Sequence, residues 1–287
     1  MADISAQVTR KSLKAKKKAA IKNIKAQAKE KIREIKIEYD ENPARKLSRQ
    51  NEKAQRKAYR MQRRNAHIAY NARQPRLYTI GEELFNSISH GIGAGLSVAA
   101  LVILIVASCS RAPATLLPIY IVAVSLFGSA LFLMYMVSTL YHALTPYGAR
   151  KVFSIFNHIS IYLLIAASYT PFALIKVGGV AGWWIFGIAW GLALVCSILY
   201  SVFGARMRMQ SVLSYVVFGW LFVAVLTLLK DNPLSSTCLA FVFSGGTAYT
   251  VGCLFYLMRK YKWTHSIFHL FVLAGSVLHF FAVLSII

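Results

Sequence analysis

Seven long apolar stretches fill most of the sequence after residue 84 and limit the folds open to the chain. Each stretch is long enough to cross the ~30 Å hydrocarbon core of a bilayer. They lie at about 84–107, 116–141, 156–175, 181–203, 211–229, 236–258 and 265–287. Because lipid offers no hydrogen bonds to the backbone, a spanning segment must be a helix or part of a closed barrel. The apolar runs are continuous rather than alternating, so we predict an all-α integral membrane bundle of seven helices.

Charge divides the chain into a basic N-terminal tail, residues 1–79, and a membrane domain, residues 80–287. Residues 1–76 hold 23 of the 33 Lys and Arg residues and 7 of the 10 Asp and Glu residues. Soluble domains are about one quarter charged, whereas this chain is 15% charged and 57% hydrophobic. The few charges of the second part cannot form a water-soluble surface.

The tail has a helical pattern of apolar residues among its charges. They are Leu13, Ile21, Ile24, Ile32 and Ile35, and the pattern ends near Asn42 and Pro43. A basic amphipathic helix beside a membrane domain is typical of a segment that binds anionic lipid headgroups. A solvated, partly disordered tail is the alternative. The tail lacks the motifs of an RNA-recognition domain and of a zinc finger, so we expect no specific nucleic-acid partner.

The loops between the apolar stretches predict the orientation in the membrane. Basic residues concentrate in the loops after the second, fourth and sixth stretches: Arg150, Lys151, Arg206, Arg208, Arg259, Lys260 and Lys262. The other loops hold only Arg111, Lys176 and Lys230. By the positive-inside rule, we expect a multi-pass protein of the plasma membrane with a cytoplasmic N-terminus and an external C-terminus.

Several other classes of protein are disfavoured. The tail has no apolar stretch, so we expect no secretory signal peptide. The four cysteines, Cys109, Cys196, Cys238 and Cys253, are scattered and form no CxxC pair, which argues against a disulfide scaffold or a zinc finger. No phosphate-binding glycine motif is present.

Ionisable side chains inside a membrane are costly and are therefore candidates for function. Six histidines lie within or beside the apolar stretches: His90, His142, His158, His265, His269 and His279. The predicted topology brings the first five toward the cytoplasmic leaflet. Only His279 lies deeper, about 15 Å beyond His269 at about 1.5 Å per residue.

Three of these histidines have the pattern of a metal site. His265 and His269 are spaced i, i+4, so their imidazoles leave the same face of a helix, and metal sites use this spacing. With His142 they would supply three nitrogen ligands and leave the fourth tetrahedral position open, as in a catalytic zinc site. The alternative is that these histidines only bind headgroups or neighbouring helices through hydrogen bonds.

Other polar residues are candidates to support the site from the first apolar stretch: Glu83, Asn86, Ser87 and His90. The alternative for Glu83 is that its charge only complements the N-terminus of its own helix. The alternative for His90 is a role in packing alone. For His158 and His279 we expect hydrogen bonds between helices.

The motifs resemble those of a known family. Residues 83–91, Glu-Leu-Phe-Asn-Ser-Ile-Ser-His-Gly, resemble the opening signature of the haemolysin III proteins, the bacterial branch of the progestin and adipoQ receptor superfamily. Ser138 and His142 match the family's SxxxH motif, and residues 265–269 match the HxxxH motif of its last helix. Residues 157–171 resemble its third-helix motif, so the resemblance covers about 80–287.

The resemblance implies seven membrane helices and a zinc ion near the cytoplasmic side, held by His142, His265 and His269. Receptor members are linked to hydrolysis of lipid amides such as ceramide, whereas bacterial members usually carry the label haemolysin. One position departs from the family, because Asn157 stands where an Asp normally orients the water or completes the site. Asn cannot serve as a general base, so the departure is compatible with metal binding and weakens the case for hydrolysis.

Three functions follow from these observations. The first is a zinc-dependent membrane hydrolase of lipid amides or esters, in which Ser138 hydrogen-bonds the site or the tetrahedral oxyanion and Asn157 takes the place of the family's Asp. The second is a non-catalytic protein of membrane homeostasis or sensing with structural zinc. The third is a cytolysin, which the lack of a soluble form disfavours. No acidic residue lies deep in an apolar stretch, so a transporter is weaker still.

Overall fold

The computed structural model describes residues 2–73, 78–229, 233–258 and 260–287. Residues 74–77 of the tail and the loop residues Lys230, Asp231, Asn232 and Arg259 lie outside the described residues. Residues 1–73 form one compact unit, and residues 74–287 form a second.

The N-terminal unit consists of two helices, α1 (Ala2–Glu41) and α2 (Pro43–Arg73). Between them, Asn42 Oδ1 accepts hydrogen bonds from the backbone N–H groups of Ala44 at 3.1 Å and Arg45 at 3.4 Å. An Asn cap followed by a first-turn proline begins a new helix. The first helix ends at Glu41, which confirms the predicted end near Asn42 and Pro43. The apolar residues of the predicted stripe are all exposed: Leu13, Ile21, Ile24, Ile32 and Ile35.

The second unit contains seven helical segments that are long and apolar enough to cross a membrane. Four of the first six are single helices, namely α3 (Ile80–Arg111), α4 (Leu117–Ala143), α6 (Gly179–Phe203) and α9 (Ser236–Leu257). The third segment is α5 (Tyr147–Pro171) with a π-helical extension, Phe172–Val177. A 3₁₀ turn, Gly204–Met207, precedes the fifth segment. This segment comprises α7 (Arg208–Trp220), α8 (Phe222–Leu226) and a second 3₁₀ turn, Thr227–Leu229. The last is α10 (Thr264–Leu284).

This architecture confirms the predicted all-α, multi-pass membrane fold, and the described residues contain no strand. Large apolar side chains cover the outside of the helices. Val180, Trp184 and Val202, for example, are each about 70% exposed or more, at 76%, 69% and 71%. Such a surface would be an aggregation hazard in water and is suited to lipid.

The helices approach one another closely where small residues face aromatic rings. A Cβ atom placed on Gly93 of α3 would lie 2.6 Å from Cδ1 of Tyr135 on α4. The same tyrosine donates a hydrogen bond to Oγ of Ser276 on α10 at 2.7 Å. Membrane helices associate through close packing at small residues and through such hydrogen bonds, so Tyr135 links three helices.

The fifth segment is interrupted at Leu221, between α7 and α8. The Tyr169 hydroxyl of α5 donates to the carbonyl oxygen of Phe218 at 2.6 Å. Because lipid cannot satisfy a backbone carbonyl beside a helix break, this interhelical bond stabilises the interruption.

We expect Gly93→Ala to lower the free energy of unfolding by about 1–3 kcal/mol, because the added methyl group would overlap the Tyr135 ring. Thermal unfolding of the detergent-purified protein measures the effect. Gly95→Ala is the matched control, since no atom lies within 4 Å of the Cβ it would add. The control should be neutral or slightly stabilising, because alanine favours a helix more than glycine does. Equal losses of stability in both variants would contradict the close approach of α3 and α4.

Candidate metal centre

Three buried histidines from two helices meet at one point. His142 lies in the last turn of α4, while His265 and His269 lie in the first two turns of α10. The Nε2 atom of His265 lies 3.3 Å from Nε2 of His142 and 3.1 Å from Nε2 of His269. The three side chains form a group that could hold a metal ion.

The spacing of these nitrogens suits a tetrahedral metal ion. Zinc binds imidazole nitrogen at about 2.0–2.1 Å, so two nitrogens on one tetrahedral ion lie about 3.3 Å apart. The two measured separations, 3.1 and 3.3 Å, are close to this value. An ion between the three imidazoles would satisfy all three nitrogens at once. The residues therefore fit a metal of this kind.

Glu83 of α3 holds His142 in the orientation that metal binding needs. Its Oε2 atom accepts a hydrogen bond from Nδ1 of His142 at 2.6 Å, and its Oε1 atom accepts one from Arg150 of α5. A carboxylate on Nδ1 fixes the tautomer whose Nε2 lone pair is free, the arrangement found behind many metal-bound histidines. Glu83 thus contacts a candidate ligand directly rather than only complementing its own helix end.

The neighbouring glutamate, Glu82, positions the start of α10. It closes a capping box with Thr79 at the N-terminus of α3. Its Oε1 atom also accepts a hydrogen bond from the backbone N–H of Trp263 at 2.7 Å. Trp263 has a left-handed backbone, with φ of 66°, and immediately precedes the helix that carries His265. The sequence shows the capping box, but not the reach of Glu82 across to α10.

His90 lies directly beside the three-histidine group. Its ring stacks on the His269 ring with centroids 3.6 Å apart, and its Nδ1 atom is hydrogen-bonded to Oγ of Ser138 at 2.7 Å. Ser138 is buried and lies one turn before His142 on α4. The structure thus brings together Glu83, His90, Ser138 and the three histidines.

The other predicted residues have different surroundings. The Ser87 hydroxyl donates to the carbonyl oxygen of Thr139, which ties α3 to α4. Asn86 is fully buried, and its side-chain amide has no hydrogen-bond partner among the described residues. Asn157 is half-buried on α5 and lines the cavity described below.

His158 and His279 were both expected to hydrogen-bond neighbouring helices. His158 does so, since Nδ1 lies 3.0 Å from the hydroxyl of Tyr215 and Nε2 lies 3.5 Å from the hydroxyl of Tyr256. For His279 the expectation is wrong, because neither ring nitrogen has a partner among the residues that the structure describes. Helical periodicity indicates which face a residue lies on, but not whether that face offers a partner.

Tyr78 is a site residue that sequence analysis missed. Its ring stacks on the His265 ring with centroids 4.5 Å apart and a 16° angle between the planes. Tyr78 precedes the first apolar stretch and belongs to none of the motifs, so no pattern in the sequence indicated this contact.

A cavity of about 190 Å³ extends from the histidines into the bundle. Its lining combines polar side chains, including two of the three clustered histidines, with a larger number of aromatic and aliphatic side chains. The polar residues include His90, Ser138, Asn157, His158, His265 and His269. The apolar residues include Met134, Ile161, Leu164, Phe172, Val242 and Phe268. This lining suits an amphiphilic molecule with a polar end at the histidines and an apolar chain.

The fold and the site together define a seven-helix, multi-pass membrane protein with a buried three-histidine group at an amphiphilic cavity. The model of the haemolysin-III related family matches residues 78–280. Hemolysin-3 of Bacillus cereus is 40% identical over 205 residues, which cover 71% of this chain and 91% of that protein. The Hemolysin-3 homolog of Bacillus subtilis (strain 168) is 38% identical over 208 residues, which cover 72% and 95%. The chain therefore belongs to the haemolysin III family, within the progestin and adipoQ receptor superfamily, which confirms the resemblance.

We expect the purified full-length protein to bind about one metal ion per chain, with three histidines as ligands. Elemental analysis by mass spectrometry measures the content. The double variant His265→Ala/His269→Ala should lose the metal, because only one of the three imidazoles remains.

Glu83→Gln should keep the fold and weaken metal affinity by about 10- to 100-fold, because the amide orients His142 less firmly.

The control for the double variant is His279→Leu, which removes a histidine from the same helix but outside the metal group. It should retain the metal. Wild-type metal content in the double variant would contradict the assignment of the ligands.

Proposed function

We propose that this protein is a zinc-dependent membrane hydrolase that cleaves an amide or ester bond in a lipid. The observation that carries the proposal is the convergence of three imidazole Nε2 atoms, 3.1 and 3.3 Å apart, beside a cavity with an apolar lining. The position of the cavity among seven membrane helices favours a lipid over a water-soluble substrate.

The number of ligands favours catalysis over a structural role. Among the described residues, the metal-binding group has three members, whereas structural zinc sites usually have four protein ligands. When bound, zinc supplies Lewis-acid chemistry, since it activates a water molecule and polarises a carbonyl.

The protein's own residues would hold the reacting groups in place. Glu83, fixed by Arg150, keeps His142 oriented toward the metal. His90 fixes the Ser138 side chain through a 2.7 Å hydrogen bond. When His90 donates through Nδ1, the hydroxyl proton of Ser138 is free to donate to the oxygen on which negative charge develops. A preorganised donor of this kind stabilises the transition state more than the substrate.

Asn157 sets the expected rate. It lines the cavity with Ser138 and His265, where its amide can orient a water molecule or a carbonyl. An amide does not accept a proton from water, so Asn157 cannot serve as a general base for hydrolysis. We therefore expect a slow hydrolase.

A non-catalytic protein with structural metal is the second candidate, and the neutral side chain of Asn157 is the observation that favours it. The two candidates predict the same metal content, so only turnover separates them.

We expect Ser138→Ala to lower the turnover of a short-chain ceramide by about 100-fold, because it removes one transition-state donor. Metal content should not change. The assay follows release of fatty acid from the substrate in detergent micelles. Ser168→Ala is the matched control, since Ser168 also lines the cavity but donates to the carbonyl oxygen of Leu164 in its own helix.

Asn157→Asp should raise turnover by about 100-fold or more, because a carboxylate at this position can accept a proton. Turnover absent from both the wild type and Asn157→Asp, with metal bound, would favour the structural role. Equal turnover in Ser138→Ala and the wild type would remove Ser138 from the mechanism.

For the tail, we propose attachment to anionic headgroups at the cytoplasmic face of the plasma membrane. The exposed stripe on α1, from Leu13 to Ile35, lies among basic residues and supports this role. Each well-placed cation contributes about 1 kcal/mol at such a surface.

The excess of basic residues in alternate loops supports a cytoplasmic N-terminus and an external C-terminus.

A further inference from the structure

His279 lines the same cavity as the metal group, but deeper in the bundle. It lies ten residues after His269 on α10, which places it about 15 Å farther along the helix axis. Gly245 of α9 makes room for it, because a Cβ atom there would lie 2.3 Å from Cδ2 of the imidazole. The ring of Tyr249 packs against it, with centroids 5.4 Å apart.

The nearby hydroxyl groups are already engaged with one another. Tyr135 donates to Oγ of Ser276 at 2.7 Å, and the Tyr249 hydroxyl is hydrogen-bonded to the same oxygen at 2.9 Å. Both ring nitrogens of His279 are buried, and neither has a hydrogen-bond partner among the described residues. A neutral imidazole has one donor and one acceptor, and leaving either without a partner in an apolar environment is costly.

A metal is a poor match for His279. The group of metal-binding side chains found among the described residues is that of His142, His265 and His269, and His279 is not a member. The imidazole instead suits a small neutral group that both donates and accepts a hydrogen bond. A hydroxyl group does both, and it can reach the imidazole only on a molecule that enters the cavity.

We propose that the cavity selects an acyl chain with a hydroxyl group in its middle, and that His279 binds this hydroxyl. The inference rests on the proposed function, since it assumes that the chain extends inward from a carbonyl group at the metal-binding histidines. Carbon–carbon bonds of about 1.5 Å at tetrahedral angles advance an extended chain by about 1.25 Å per carbon. A separation of about 15 Å therefore places the hydroxyl about 12 carbons from the carbonyl.

The test compares two fatty acids that differ by one hydroxyl group. Each displaces a fluorescent fatty acid from the full-length, detergent-purified protein. We expect 12-hydroxystearate to bind about three- to tenfold more tightly than stearate, the effect of one or two neutral hydrogen bonds. The isomer 3-hydroxystearate carries its hydroxyl far from His279 and should show no such preference.

Variants of the subsite identify the group responsible. His279→Leu should bind both fatty acids equally, while His279→Gln, which keeps a donor and an acceptor, should retain part of the preference. Gly245→Ala leaves the imidazole in the chain but displaces its ring, so it should also reduce the preference. Bound metal equal to that of the wild type shows that each variant is folded.

The outcomes separate this inference from the proposed function. Equal binding of stearate and 12-hydroxystearate to the wild type would overturn the subsite and leave the lipid cavity intact. A preference that persists in His279→Leu would also overturn it. Failure of both fatty acids to displace the probe would overturn the subsite and the proposed lipid substrate together.

Discussion

The first turn of α3 holds two adjacent carboxylates on which the arrangement of the site depends. Glu83 reaches to α4 and α5, where it binds His142 and Arg150. Glu82 reaches to the residue before α10, where it binds the backbone of Trp263. Adjacent residues on a helix point in directions about 100° apart, so one turn can hold two different helices. The three histidines meet because their helices are tied to this turn.

Such charged contacts are favoured here because the surroundings are apolar. Buried carboxylates in a bilayer require partners, and Glu82 and Glu83 each find a partner on another segment of the chain. The resulting links are specific, whereas contacts among leucine and valine side chains fix little orientation in lipid. Close contacts at Gly93 and Tyr135 then fix the distance between α3 and α4, and the hydrogen bond from Tyr135 to Ser276 extends the link to α10.

The sequence was sufficient to predict the seven membrane segments and the pairing of His265 with His269, because apolar length and i, i+4 spacing are local properties. His142 could be added to the pair because the predicted topology places it at the same leaflet and because it matches a family motif. It could not show which partner a side chain reaches. The reach of Glu83 to His142, the stacking of Tyr78 on His265 and the lack of a partner for His279 all depend on distant segments. Ser87 shows the same limit, since its neighbours in sequence lie at the site while its own hydroxyl binds the carbonyl oxygen of Thr139.

X-ray absorption at the zinc edge of the purified full-length protein tests the central claim most directly, because it reports the atoms around the metal. The account predicts three imidazole nitrogens and one oxygen, all at about 2.0–2.1 Å. Scattering from sulfur at about 2.3 Å would place the metal on cysteines instead and contradict the account. Absence of zinc from protein purified without chelators would contradict it as well.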